Sequence, residues 1–253
     1  MEKNLDEKIA KLEHWIRKKS GIVFFGGAGV STESGIPDFR GKDGLYNLKY
    51  KYPPEEILSH DFFFNHTLEF FEFYRNKMNP LGYKPNAAHE ILAEMERFNK
   101  LSAIVTQNID GLHQRAGSKK VYELHGSVLR NYCVKCHKFY DADFVFNSSG
   151  IPTCTCGGLI KPDVVLYQEG LDDNIVMNSI LSIENAEMLI VAGTSLTVQP
   201  AASLINYFKR RCCGQYLVII NKTPTPYDSI ADLVIHESVG KVLKNARGNK
   251  RFS

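Results

Sequence analysis

The chain has 253 residues, of which 43% are hydrophobic and 23% charged, and its formal net charge is +3. This composition is ordinary for a globular protein and argues against disordered, collagen-like or coiled-coil structure. So small a charge bias gives no electrostatic reason to expect nucleic acid as a partner. The apolar runs are too short to span a bilayer, and the charged N-terminus lacks the apolar core of a secretion signal. We therefore expect a cytoplasmic protein with no membrane association.

Predicted helices and strands alternate along the chain. Residues 1–20 place Leu5, Ile9, Leu12 and Ile16 on one face of a helix. Short apolar runs follow at 22–25, 103–106, 164–166, 189–192, 217–220 and 233–235, with helix-like stretches at 87–98 and 200–211. Runs without polar alternation are typical of strands buried on both faces of a parallel sheet. The pattern predicts an α/β protein with a doubly wound sheet.

Two segments interrupt this alternation. Residues 42–86 are rich in aromatic side chains and proline, and residues 127–158 carry four cysteines. We expect both segments to build a smaller inserted domain. Residues 1–41, 87–126 and 159–253 would then form the large domain.

A glycine-rich turn follows the first predicted strand and contains Gly27, Ala28 and Gly29. Glycines let a backbone approach a pyrophosphate closely, and a helix starting there would point N–H groups at the phosphates. The match to a dinucleotide fingerprint is imperfect, because Thr32 stands at the third glycine position and no ribose-binding acid follows about 20 residues later. A tight strand–helix turn without a ligand is the alternative.

Four cysteines form two close pairs, Cys133-x-x-Cys136 and Cys154-x-Cys156. Two such pairs can close a tetrahedron around Zn²⁺, and four thiolates leave no open position, so the metal would be structural. Two disulfides would conflict with a cytoplasmic location, and a nucleic-acid-binding zinc ribbon would need a basic cluster. Cys212 and Cys213 are interpreted as bystanders.

Polar residues follow several predicted strands. Gln107–Asp110 come after one strand and Gly193–Ser195 after another, at the strand ends where open α/β sheets bind ligands. His125 lies at the end of a further strand, and a neutral imidazole can act as a general base near pH 7. A local turn at 107–110 and a purely structural histidine are the alternatives.

The sequence resembles the sirtuin family of NAD-dependent protein-lysine deacylases over about residues 21–239. The resemblance is carried by ordered blocks, which are GAGVSTESGIPDFR, TQNIDGLH, LHG, the four cysteines, KPDVV, GTSL and NK. The resemblance implies a Rossmann-like large domain and a small domain with a helical part and a zinc part. It also implies NAD as a consumed co-substrate and a structural zinc ion.

The resemblance assigns His125 as the base that takes a proton from a ribose hydroxyl of NAD, and Asn108 as a second catalytic residue. Asn108 and Asp110 would line the nicotinamide pocket, Phe39 would cover the reacting sugar, and Arg40 would contact phosphate. The remaining NAD-binding residues are Gly27, Ala28, Gly29, Thr32, Pro37, Asp38, Gln107, Ile109, Gly193, Thr194, Ser195, Asn221, Lys222, Ser238 and Val239. The zinc ligands are Cys133, Cys136, Cys154 and Cys156.

The implied reaction moves the acetyl group of acetyl-lysine to ADP-ribose and releases nicotinamide, O-acetyl-ADP-ribose and deacetylated protein. The substrate peptide would add an extended strand at residues 164–166 or 193–198. Gln168 departs from the usual aromatic-Gly-Glu pattern beside the first of these edges. Lys49 follows Tyr46 where a succinyl-preferring relative carries arginine, which favours uncharged acyl chains.

Three alternatives stay open: a deacylase for longer apolar chains, a mono-ADP-ribosyltransferase, and a binding module without turnover. We expect a monomer.

Overall fold

The structure is a computed structural model that describes residues 2–38, 51–209 and 214–248. In this part of the chain, six parallel strands form one sheet in the order β3-β2-β1-β7-β8-β9. The strands are β1 Ile22–Gly26, β2 Leu101–Thr106, β3 Val121–Glu123, β7 Met188–Ala192, β8 Tyr216–Ile220 and β9 Leu233–Ile235. This is the strand order of a Rossmann-like fold, whose order reverses between β1 and β7. The predicted fold class is confirmed.

Helices cover both faces of the sheet. The helices of the described residues are α1 Glu2–Lys18, α2 Pro54–Ile57, α3 His60–Asn65, α4 Thr67–Lys77, α5 Ala87–Arg97, α6 Leu112–Arg115, α7 Ala142–Phe146, α8 Asp173–Glu184 and α9 Val239–Arg247, and only some of them pack on this sheet. One apolar cluster joins the sheet to α1, α5 and α9, and another joins its opposite face to α8 and residues 201–208. Every residue of β1 and β7 is buried, as their uninterrupted apolar runs predicted.

A second, three-stranded sheet is antiparallel and has the order β5-β4-β6. Its strands are β4 Gly126–Cys133, β5 Phe139–Asp141 and β6 Ile160–Val164. A third apolar cluster packs this sheet against α2, α3, α4 and α7, and Phe63, Phe70 and Tyr74 are fully buried in it. The predicted division of the chain into two domains stays a prediction, and the second sheet extends as far as Val164.

Three elements differ from expectation. The glycine-rich turn continues as two short 3₁₀ helices, Ala28–Val30 and Thr32–Ser34, and the second ends at Gly35, whose φ of 92° is left-handed. The stretch predicted as a helix at 200–211 is a 3₁₀ helix at Ala201–Tyr207. The strand expected at 164–166 is β6, which ends at Val164.

None of the helices in the described ranges has both the length and the apolar character that a bilayer crossing requires.

Candidate active site

The loops that follow β1 and β7 pack against each other where the strand order reverses. The N–H of Gly29 donates to the oxygen of Gly193 at 2.8 Å, and the N–H of Gly27 donates to the oxygen of Ala192 at 3.1 Å. A Cβ atom on Gly29 would lie 2.8 Å from the Cα of Gly193, and one on Gly27 would lie 2.7 Å from the Cβ of Thr194. Glycine is therefore required at both positions by the close approach of the two loops, whether or not a ligand is bound.

A buried polar cluster lies at the end of β2. The Ser31 hydroxyl donates to Oδ2 of Asp110 at 2.7 Å and accepts from Nδ2 of Asn108 at 3.1 Å. Burial raises the pKa of Asp110, while hydrogen bonds from the Leu112 N–H and Ser31 oppose the rise. Ser31 was not among the predicted site residues, and only its place directly after the glycine motif could have pointed to it.

His125 joins this cluster through the main chain. Its Nδ1 atom lies 2.9 Å from the oxygen of Gln107, and the Nε2 of Gln107 donates to Oγ1 of Thr194 at 3.1 Å. Burial lowers the pKa of His125 below its ordinary value of 6.5, and the contact with Gln107 opposes that effect. The imidazole is thus held neutral at the edge of the sheet where the β1 and β7 loops meet.

An ion-pair network lies next to His125 in the chain. Arg130 on β4 reaches Oε2 of Glu123 on β3 at 2.7 Å and Oδ2 of Asp163 on β6 at 2.7 Å. Glu123 is two residues before His125 and its carboxylate is largely buried. Arg130 therefore joins β3 of the first sheet to β4 and β6 of the second, close to His125 in the chain.

Four more of the predicted NAD-binding residues follow β8 and β9, and these are Asn221, Lys222, Ser238 and Val239. Asn221 is buried and donates from Nδ2 to the oxygen of Thr223 at 2.8 Å, whereas Lys222 is exposed. Ser238 precedes α9, and Val239 is its first residue. Glu33 accepts from the N–H of Gly240 at 2.6 Å and so fastens the loop after β1 to the start of α9.

The four cysteines form one compact cluster. The Sγ atoms of Cys133 and Cys156 lie 3.5 Å apart, those of Cys136 and Cys154 3.6 Å, and those of Cys136 and Cys156 3.4 Å. Sulfurs at the corners of a tetrahedron with Zn–S bonds of about 2.3 Å would be about 3.8 Å apart, whereas a disulfide needs about 2.05 Å. The donor set and its spacing fit a closed, structural zinc site.

Phe39, Arg40, Tyr46, Lys49 and the pair Cys212–Cys213 lie outside the described residues. Pro37 and Asp38 end the first described segment, and Thr32 donates to the oxygen of Gly29 at 3.0 Å. The NAD-binding and catalytic roles assigned to the predicted site residues stay predictions, as does the acyl preference drawn from Tyr46 and Lys49.

Comparisons with known proteins agree on one family. The model of the Sir2 family matches residues 27–200. A protein of Clostridium acetobutylicum named NAD-dependent protein deacetylase is 60% identical over 94% of this chain and 97% of its own length. One of Clostridium perfringens with the same name is 59% identical over 94% of this chain and 98% of its own length.

Solved structures give the same result. A Sir2 structure with a deacetylated p53 peptide and 3'-O-acetyl-ADP-ribose superposes with a TM-score of 0.87, at 40% identity, over 96% of this chain and 98% of the other. A Sir2 structure with a p53 peptide and NAD⁺ gives a TM-score of 0.81, at 40% identity, over 92% of this chain and 95% of the other. Because the family model covers more than half of the sequence and the relatives match over nearly their whole length, the chain belongs to the Sir2 family.

Proposed function

We propose that this protein is an NAD-dependent protein-lysine deacetylase that transfers the acetyl group of acetyl-lysine to ADP-ribose. The observation that carries the proposal is the set of contacts that joins His125, Gln107 and Thr194 at the carboxyl edge of the sheet, next to the cluster of Asn108, Ser31 and Asp110. This arrangement puts a neutral base beside buried hydrogen-bonding groups. Relatives that share nearly the whole chain carry the same activity in their names.

The residues present fit a bound NAD. The loops after β1 and β7, which approach each other closely at Gly27, Gly29 and Gly193, lie where the sheet order reverses, and this is where the fold takes a pyrophosphate. The buried side chains of Asn108 and Asp110 can pair with a carboxamide, and that of Asn221 can pair with a ribose. When bound, NAD supplies an anomeric carbon that accepts the acyl oxygen as nicotinamide leaves.

The chain's own residues orient the reactants and move one proton. His125 has Nε2 available as a base because Nδ1 is engaged by Gln107, and it takes a proton from the ribose diol. The Asn108–Ser31–Asp110 cluster fixes the groups that face the nicotinamide. Phe39 and Arg40 would exclude water and contact phosphate, as the family resemblance implies.

The peptide substrate binds as an extended strand along the chain that follows β6. The N–H of Val165 donates to the oxygen of His125 at 3.0 Å, so this segment runs directly beside the proposed base. Main-chain hydrogen bonds would recognise an added strand with little dependence on its sequence. We also propose that the enzyme acts as a cytoplasmic monomer and binds no nucleic acid.

Mass spectrometry with NAD and three otherwise identical peptides tests the function. The peptides carry acetyl-lysine, succinyl-lysine or a long-chain acyl-lysine. We expect loss of the acetyl group together with nicotinamide and O-acetyl-ADP-ribose. Activity confined to the long-chain or succinyl peptide would overturn the acetyl preference, and an ADP-ribose adduct without deacylation would make the protein an ADP-ribosyltransferase.

A further inference from the structure

The loop after β6 contains a residue in an unusual backbone conformation. Gln168 has φ 76°, in the left-handed region that favours glycine. The sirtuin pattern has glycine at this point, and a left-handed turn costs more with a glutamine side chain than with glycine. A conformation of this kind persists only where surrounding contacts hold it.

Those contacts are two reciprocal hydrogen bonds with Asp61. The Nε2 of Gln168 donates to Oδ2 of Asp61 at 3.0 Å, and the N–H of Asp61 donates to Oε1 of Gln168 at 3.0 Å. The amide of Gln168 therefore uses both its donor and its acceptor on a single partner. Asp61 lies in the first turn of α3, far from Gln168 in sequence.

Neighbouring contacts fasten the same loop to the same helix. The N–H of Tyr167 donates to the oxygen of Leu58 at 2.9 Å, and the N–H of His60 donates to the oxygen of Tyr167 at 2.9 Å. One carboxylate oxygen of Glu169 lies 3.0 Å from Nδ1 of His60. Residues 167–169 thus pack edge to edge against the segment that leads into α3.

Glu169 also fixes the start of the loop. Its other carboxylate oxygen accepts from the Leu166 N–H at 2.9 Å and from Nζ of Lys161 at 3.0 Å. These bonds hold the main chain that begins at Val165, whose N–H donates to the oxygen of His125. Movement of residues 166–169 would therefore shift the main chain at Val165, where the substrate strand is proposed to pass His125.

We propose that Gln168 and Asp61 form a positioning pair that sets one wall of the peptide groove and thereby the affinity for the acyl-peptide. The pair fixes the loop of residues 166–169 on α3. Neither residue belongs to the set proposed to hold NAD or to react, so the pair should act on peptide binding and leave NAD binding unchanged. The proposal rests on the proposed function, because that function makes the segment after β6 a peptide groove.

A double-mutant cycle of Gln168→Gly and Asp61→Ala tests the pair. Gln168→Gly keeps the left-handed turn and removes the side-chain contacts, so backbone strain is not added. Each single variant should raise both the Kd and the KM for an acetyl-lysine peptide about fivefold, which corresponds to the loss of one or two modest hydrogen bonds. Titration calorimetry measures the Kd. The double variant should be no worse than either single one, while the KM for NAD stays unchanged.

Exchanging the amide and the carboxylate between positions 168 and 61 gives a second test of the pair. Gln168→Glu alone places a second carboxylate against Asp61 and should weaken peptide binding. Combining Gln168→Glu with Asp61→Asn restores an amide–carboxylate pair in the reverse direction and should recover the affinity. Asp143→Ala, which removes an exposed acid from the first turn of another short helix, α7, is the matched control.

Additive effects in the cycle, an unchanged peptide Kd, or an equal rise in the KM for NAD would overturn the positioning pair. Failure of the unaltered protein to deacetylate any peptide would instead overturn the proposed function. The calorimetric Kd still decides about Gln168 and Asp61 in that case, because it does not depend on turnover.

Discussion

The Nδ1 atom of His125 lies 2.9 Å from the main-chain oxygen of Gln107. A carbonyl oxygen can only accept a hydrogen bond, so in the neutral imidazole this contact places the proton on Nδ1 and leaves Nε2 free to accept. Gln107 also donates to Thr194 in the loop after β7. The orientation of the proposed base is therefore linked to one of the loops proposed to take the pyrophosphate.

His125→Ala should lower kcat by at least about a hundredfold, the usual contribution of a general base. Because burial lowers the pKa of His125 below 6.5, the base stays deprotonated down to mildly acidic pH. In the unaltered protein kcat/KM should thus fall only as the pH drops through a value below 6.5. A stopped assay of nicotinamide release measures both, with exposed His14→Ala as the control.

Near-normal turnover of His125→Ala, at unchanged zinc content and unfolding midpoint, would remove His125 as the base. An acidic limb centred above pH 6.5 would contradict the role of burial.

Ser31→Ala should reduce the rate of nicotinamide release about tenfold, because it removes a hydrogen bond to the buried carboxyl of Asp110 and leaves that group with fewer partners. The substitution removes the donor of Asp110 and the acceptor of Asn108 together. The pKa of Asp110, already raised by burial, should rise further. The exposed Ser102→Ala is the matched control, and equal rates in the two variants would show that the Ser31 bridge has no part in the reaction.

Gly158→Ala should lower the zinc content and the thermal unfolding midpoint. A Cβ atom at Gly158 would lie 2.5 Å from Sγ of Cys133 and 2.8 Å from Cβ of Lys135, inside the cysteine cluster. Gly170→Ala is the control, since a Cβ atom there would meet nothing within 4 Å. Metal analysis should give one zinc per chain for Gly170→Ala and less for Gly158→Ala, and equal zinc in both would contradict the closed site.

The sequence predicts the central strands well because their signal is local. β1, β7 and β8 are continuous apolar runs, and the sheet buries them completely or nearly so. β4 and β5 were missed, since β4 mixes buried and half-exposed residues without regular alternation and β5 has three residues of which only one is buried. A buried strand is visible in a sequence, whereas a short, half-exposed one is defined only by its partner.

The site shows the same difference between local and long-range signals. His125 and Asn108 follow strands and belong to recognisable motifs, so they could be named in advance. Ser31 and Asp110 are 79 residues apart, and only the fold brings them to 2.7 Å. The pairing of Gln168 with Asp61 is likewise invisible, because neither residue forms a pattern with its neighbours in the chain.

We expect the protein to lose stability in acid because two buried histidines, His89 and His113, are neutral in the folded state. The rings of His89 and His113 lie 4.7 Å apart, and Nε2 of His89 and both ring nitrogens of His113 have no hydrogen-bond partner among the described residues. Burial lowers the pKa of His89 to about 4, and burial together with the charge of His89 lowers the pKa of His113 well below 6.5. Both rings are therefore neutral in the folded protein near pH 7.

A histidine with a depressed folded-state pKa binds its proton more readily when unfolded. The free energy of unfolding is therefore unaffected by this group above the unfolded-state pKa near 6.5. It falls as the pH drops from there towards the folded-state pKa. For His89 alone the free energy of unfolding should fall by about 2 kcal/mol between pH 7 and pH 5, at 1.36 kcal/mol per pKa unit. Urea unfolding at pH 7 and pH 5 measures the change in the free energy of unfolding.

The variant His89→Gln separates His89 from other groups. Its side chain can still accept from the Asn86 N–H, as His89 does at 3.2 Å, and the variant should show a smaller fall in the free energy of unfolding. An equal fall in the variant and the unaltered protein would assign the acid sensitivity to other groups.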